Sequence, residues 1–117
     1  MRVLVAIAVI VTCLIAKAQG VTHVDARTPR EVQVRIAGLA APKEVTDHAD
    51  IYVIGEHGYE LAERGDNDFS CMIEREKADT MEPECYDADG TRTTVKVRIY
   101  DDRRARKVSL GAKRLAA

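Results

Sequence analysis

A small single-domain α+β fold is what this sequence predicts: an N-terminal helix packed on a three- to four-stranded antiparallel sheet, closed by one disulfide. Three observations carry that reading. A proline-opened stretch with an apolar stripe begins at Thr28, β-branched and aromatic runs separated by glycine turns occupy Asp50 to Arg75, and Thr93 to Tyr100 alternates apolar with polar residues.

Before the fold comes a leader. Arg2 precedes an almost wholly apolar run from Val3 to Ile15, and Ala16-Lys17-Ala18 supplies the small residues after which a signal peptidase cuts. We expect a signal peptide over residues 1–18, cleaved between Ala18 and Gln19, and a mature chain that is periplasmic or secreted. A bilayer span needs about 20 apolar residues, and Lys17 interrupts the run short of that, so no stable membrane span is expected after cleavage. Lipidation at Cys13 is disfavoured, because Ile10-Val11-Thr12 stands where a small residue usually precedes the modified cysteine.

Cleavage would leave 99 of the 117 residues, enough for one domain with a small core. The aromatic inventory is thin: no Trp, one Phe (Phe69) and four Tyr (Tyr52, Tyr59, Tyr86, Tyr100). Without Arg2 and Lys17 the chain holds 16 basic against 19 acidic residues, a formal charge of −3, which argues against a nucleic-acid partner.

In order along the chain, residues 19–27 form a polar lead-in without periodicity and are expected to be disordered. Thr28-Pro29-Arg30-Glu31 spells a capping box that starts a helix at Pro29. Val32, Ile36 and Leu39 would form its buried stripe, with Arg30, Glu31, Gln33 and Arg35 outside. Pro42 ends it and opens a second short turn reaching Asp47. Ile51-Tyr52-Val53-Ile54, the turn Gly55-Glu56-His57-Gly58 and Tyr59 to Glu63 make a β-hairpin. Gly65-Asp66-Asn67-Asp68 turns the chain again, and Phe69 to Arg75 returns as a third strand with Phe69, Cys71 and Ile73 on one face, completing an antiparallel meander. Glu76 to Pro83 reads as a loop and Asp87-Ala88-Asp89-Gly90 as a turn. Thr93 to Tyr100 is the expected fourth strand, with Lys96 and Arg98 on its outer face. The domain therefore spans 28–102. Residues 103–117 form a basic C-terminal tail, either a weak helix or disordered, with Arg103, Arg104, Arg106, Lys107, Lys113 and Arg114.

Cys71 and Cys85 are the two cysteines left after export. Outside the cytosol two thiols in a small domain read as a disulfide, worth roughly 3 kcal/mol for a loop of about 15 residues. The other readings are a redox pair or metal ligands, but Cys-x-x-Cys is missing and two thiols without a neighbouring His do not complete a zinc site.

Candidate chemistry is weighed residue by residue. Asp87-Ala88-Asp89-Gly90 invites calcium, but placing Gly90 at the sixth position of an EF-hand loop puts Cys85 first and Lys96 twelfth, where a bidentate Glu is required. Asp66, Asn67 and Asp68 are likewise turn formers. His48 with Asp47 and Asp50 could hold a divalent metal, although solvated capping residues explain that composition; His57 falls at a turn tip and His23 in the lead-in. Ser70 and Ser109 lie in no nucleophile elbow. Arg64-Gly65-Asp66 spells a receptor-read tripeptide at a place where a turn is already required. The basic tail could lie on anionic lipid, acidic polysaccharide or nucleic acid, against the simpler reading of a solvated terminus.

The segments Ala41-Pro42-Lys43-Glu44-Val45-Thr46, Asp50 to Ile54, Gly58-Tyr59-Glu60-Leu61-Ala62, Gly65 to Cys71 and Glu84 to Arg92 together resemble a group of uncharacterised exported bacterial proteins, over residues 40 to 95. The resemblance implies a paired Cys71 and Cys85 and no particular activity. Members of the group are often longer than this chain.

The functional expectation is an exported cell-envelope protein with a non-enzymatic binding or structural role. The alternative is a small metal-dependent hydrolase using His48 or His57. No catalytic residue, metal ligand or cofactor is assigned, and the expected partner is an envelope protein or a small ligand.

Overall fold

The computed structural model describes residues 23–74 and 81–116; the expected signal peptide over residues 1–18 and its cleavage site at Ala18 and Gln19 lie outside the described residues. In chain order the elements are α1 (Arg30–Ala37), a 3-10 turn (Gly38–Ala40), α2 (Lys43–Thr46), β1 (Asp50–Gly55), β2 (Gly58–Glu63), β3 (Ser70–Glu74), β4 (Glu82–Tyr86), α3 (Ala88–Gly90), a π-helical turn (Thr91–Val95) and α4 (Lys96–Leu115). The class is α+β, as the sequence predicts.

Helix α1 begins where Pro29 requires, but without the capping box. Pro29 itself is the N-cap and no side chain caps the helix. The Thr28 hydroxyl turns back to accept from the Asp25 amide at 3.1 Å, closing a tight turn with Val24, 6% exposed, in the core. Of the lead-in expected to be disordered, residues 23–27 fall among those described, and Asp25 closes this turn with Thr28. The buried positions of α1 are Gln33, Ile36 and Ala37, whereas Leu39 is 76% exposed. Gln33 is inside because its amide is fully used. Its Oε1 accepts from Ile54 N–H at 2.7 Å, and its Nε2 reaches the carbonyls of Ile54, Thr28 and Asp25 at 3.1–3.2 Å.

The sheet is mixed, not antiparallel, with strand order β2-β1-β3-β4. Strands β1 and β2 form the expected hairpin, with a register shift between Ile51 and Tyr52. Arg30 of α1 donates to the Leu61 and Ala62 carbonyls beside that irregularity. The meander fails at β3, which lies on the far side of β1 and runs parallel to it, pairing Asp50 with Ser70 and Ile51 with Cys71. The connection after β2 wraps over the start of β1. Gly65 N–H donates to the Asp50 carboxylate at 2.7 Å, the Asp66 and Asn67 amides donate to the His48 carbonyl, and Asp50 N–H donates to Phe69 O at 2.8 Å. These bonds carry the chain across the end of β1 and set β3 down beside it.

The fourth strand is Glu82–Tyr86, within and just beyond the expected loop, and pairs antiparallel with β3. Cys71 and Cys85 face each other in that register and are joined. Strand β3 is covered on both faces: Ser70, Cys71 and Met72 are 0% exposed and Ile73 is 2%.

Thr93 to Tyr100 is helical. Asp87 caps the new helix, its Oδ1 accepting from Gly90 N–H at 2.9 Å. Val95, Ile99, Asp102 and Arg106 recur at helical spacing and turn toward the domain, while Val97 and Tyr100 are 57% and 63% exposed. Arg98, expected on the outer face of a strand, pairs with Glu74 of β3 and, at 3.2 Å, with Glu84 of β4. Its guanidinium also lies 5.6 Å from the Tyr86 ring centre. The residues expected as a basic tail continue this helix to Leu115.

Candidate functional site

The hairpin turn can meet α4 closely because Gly58 has no side chain. Its φ is +116°, and a Cβ there would lie 2.9 Å from Asp102 Oδ2 and 3.0 Å from Arg103 Cγ. Asp102 holds Arg106 by a 3.2 Å bond to Nε, one helical turn on. Arg106 in turn donates from Nη1 to the Glu56 carbonyl at 2.9 Å, which locks the helix to the turn.

Beside this lock opens a cleft of about 300 Å³ lined by His57, Tyr59, Glu60, Arg103, Arg106, Lys107 and Leu110. Its floor is rigid: Tyr59 is 4% exposed and its hydroxyl donates to Ile73 O at 2.5 Å. Leu110, 48% exposed, supplies an apolar wall from α4. Three cations converge on the cleft from one helix. The remaining guanidinium nitrogen of Arg106, Nη2, is buried without a hydrogen-bond partner among the described residues. Burial of an unsatisfied charged donor is costly. A wider groove of about 610 Å³ lies between α1, α2 and the hairpin, but its lining carries Asp47 and Glu63 as well as Arg35 and Lys43, so it selects neither sign of charge.

The residues singled out in the sequence go to other work. Asp47 pairs with Lys43, Asp50 caps Gly65, and His48 meets Asp66 at 3.1 Å in an exposed pair, so the three do not converge. No group of three or more His, Cys, Asp or Glu residues able to hold a metal occurs among the described residues. Asp89 pairs with Arg92. Asn67 accepts from Phe69 N–H and donates to Val45 O, while Asp68 takes a positive φ of 63°, as turn formers do. Gly65 lies against the chain, with a Cβ position 2.0 Å from His48 O, so Arg64-Gly65-Asp66 is a structural turn. Of the candidates, His57 and the tail residues Arg103, Arg106 and Lys107 line the cleft.

The Tyr52 and Asp25 ionisations are displaced. Burial, with the Asp50 carboxylate adding to it, pushes the Tyr52 phenol above its ordinary value against the opposing charges of Arg64 and Arg103. The Arg27 amide, donating to Asp25, holds that carboxyl below its ordinary value.

The cleft is hidden from sequence reasoning because its helical half, Arg103 to Leu110, falls in the stretch read as a basic tail. The signal that could find it is Asp102-x-x-x-Arg106, an i,i+4 ion pair beyond the Asp87 cap. Comparison with family models, curated proteins and solved structures returns no match to this chain. Its own geometry carries the functional reading.

Proposed function

We propose that the chain is a non-enzymatic binding protein of the cell envelope that takes a small oxyanion, a carboxylate or phosphate, in the cleft between the hairpin turn and α4. The observation that carries this is the convergence of Arg103, Arg106 and Lys107 on a cleft walled by Tyr59 and Leu110. A rigid base, a charged rim and an apolar wall suit binding of an anion that carries a short apolar part. Export is supported by the apolar leader and by the Cys71–Cys85 bridge. No helix among the described residues is long and apolar enough to cross a membrane. The metal-dependent hydrolase draws nothing from His48, whose neighbours Asp47 and Asp50 are turned elsewhere.

The test is titration of the isotope-labelled, oxidised protein with inorganic phosphate, acetate and hexanoate. Amide shifts should centre on the hairpin turn and the Arg103 to Leu110 segment, with hexanoate binding more tightly than acetate. Arg103→Ala and Lys107→Ala, both at exposed positions, should each weaken binding by up to about fivefold, the worth of one exposed charge contact. Anion-insensitive spectra, or shifts confined to another surface, would exclude this site.

A further inference from the structure

Helix α4 carries a second surface, distinct from the cleft. Positions 97, 100, 104, 108, 111 and 115 follow one another at three- and four-residue spacings and share one helix face. On it Val97, Tyr100, Val108 and Leu115 are 57%, 63%, 66% and 91% exposed. Large apolar side chains seldom line up in water along one stripe without an occupant. At Gly111 a Cβ would meet open space, so the stripe is uncovered there.

The charge around the stripe is one-sided. Helix α4 holds eight basic and two acidic residues, in a chain whose formal net charge is −1. Arg98 and Arg106 are engaged with the body of the domain; Lys96, Arg103, Arg104, Lys107, Lys113 and Arg114 are exposed. Asp101 and Asp102 stand near the start of the helix, and from Arg103 to Leu115 no acidic residue occurs.

That pattern selects among occupants. A second copy packing α4 on α4 would bring Arg104, Lys107 and Arg114 against their own like charges. A second copy offering another surface has little to offer the stripe, since Leu39 is the one exposed large hydrophobic named outside α4 among the described residues. An anionic bilayer meets both demands, taking apolar side chains below its headgroups and basic ones at their phosphates.

We propose that α4 docks in the plane of an anionic lipid surface, with Val108 and Leu115 inserted and Arg104 and Arg114 at the headgroups. This surface shares α4 with the cleft but stands on separate side chains, Val97, Tyr100, Val108 and Leu115.

The test uses the oxidised chain from Gln19, which keeps every described residue and omits the apolar leader. Its sedimentation with vesicles of equal parts phosphatidylglycerol and phosphatidylcholine is compared with that on pure phosphatidylcholine. Binding should favour the anionic vesicles by about tenfold or more and fall with added salt. The double variants Val108→Gln/Leu115→Gln, which keeps helix propensity, and Arg104→Glu/Arg114→Glu should each lose about tenfold. None of these four positions lines the cleft, so hexanoate binding should be unchanged and the two proposals fail separately. The docking proposal is overturned if the chain ignores anionic vesicles, binds both kinds equally, or binds undiminished without Val108 and Leu115. It is also overturned if the chain forms a dimer that the Val108→Gln/Leu115→Gln variant abolishes, which would give the stripe to a second copy.

Discussion

The side-chain amide of Gln33 pairs with both backbone groups of Ile54, accepting from its N–H at 2.7 Å and donating to its carbonyl at 3.1 Å. Among the described residues β3 pairs with β1 only at Asp50 and Ile51, so further along β1 none of them serves Ile54 as a strand neighbour on that side. Gln33, 2% exposed, stands in for the strand and ties α1 to the sheet.

Gln33→Leu keeps the bulk and removes every one of these bonds, leaving a buried N–H and carbonyl unsatisfied. Stability should fall by about 2–4 kcal/mol, the cost of stranding two buried backbone groups. Urea unfolding monitored by circular dichroism measures it. A loss under about 0.5 kcal/mol, the range of neutral surface changes, would mean that water replaces the amide.

The bridge between Cys71 and Cys85 closes a loop with a sequence separation of 14. Removing it as Cys71→Ser/Cys85→Ser should cost roughly 3 kcal/mol through the freed unfolded chain, a midpoint lower by about 10–20 °C for a domain of this size. Differential scanning calorimetry of the variant, and of the wild type with reductant, checks it. Because Cys71 is 0% exposed, reductant should act slowly below the midpoint and quickly near it.

What could be read in the residues divides along physical lines. The start of α1 at Pro29, the α2 turn, the hairpin around Glu56-His57 and the pairing of the cysteines rest on local signals, and these stand. The parallel placement of β3 depends on where Asp50 and the His48 carbonyl send their hydrogen bonds, which no periodicity encodes. Val95, Val97 and Ile99 satisfy a period of two, yet Val95 and Ile99 are also one helical turn apart, and the Asp87 cap decides for the helix. Gln33 defeats the rule that polar residues face water because four backbone atoms lie within reach of one amide. With Thr93 to Tyr100 read as a strand and residues 103–117 as a tail, Arg103, Arg106, Lys107 and Leu110 could not be seen to face Tyr59.

Alkaline pH should find Tyr52. Its folded phenol titrates above its unfolded value, which lies near 10, because burial and the Asp50 carboxylate disfavour the phenolate. A raised folded pKa means that its stabilising contribution is full below the unfolded value and is lost as pH rises through the folded one. Stability should therefore decline above pH ~10, and Tyr52→Phe should flatten that decline. Denaturant midpoints across the alkaline range, with phenolate absorbance as a second readout, test this; an identical profile for Tyr52→Phe would remove Tyr52 as the cause.

Gly58 links stability to the cleft. Its φ of +116° is a conformation that side-chain-bearing residues rarely adopt, and its Cβ position lies 2.9 Å from Asp102 Oδ2 and 3.0 Å from Arg103 Cγ. Gly58→Ala therefore strains the turn and displaces the Asp102 carboxylate and the Arg103 side chain beside it. The backbone part alone costs about 1–2 kcal/mol. Moving the Asp102 carboxylate also disturbs its bond to Arg106, and moving Arg103 changes the rim of the cleft. Two effects should appear in one variant: a lower unfolding midpoint and hexanoate binding weakened further than by Arg103→Ala. Gly111→Ala is the control, since a Cβ there meets open space and alanine favours the helix by about 1 kcal/mol over glycine. It should raise stability and leave anion binding unchanged. If Gly58→Ala lowered the midpoint yet bound hexanoate like the wild type, the turn would be a structural hinge only, and the cleft beside it would not be where the anion sits.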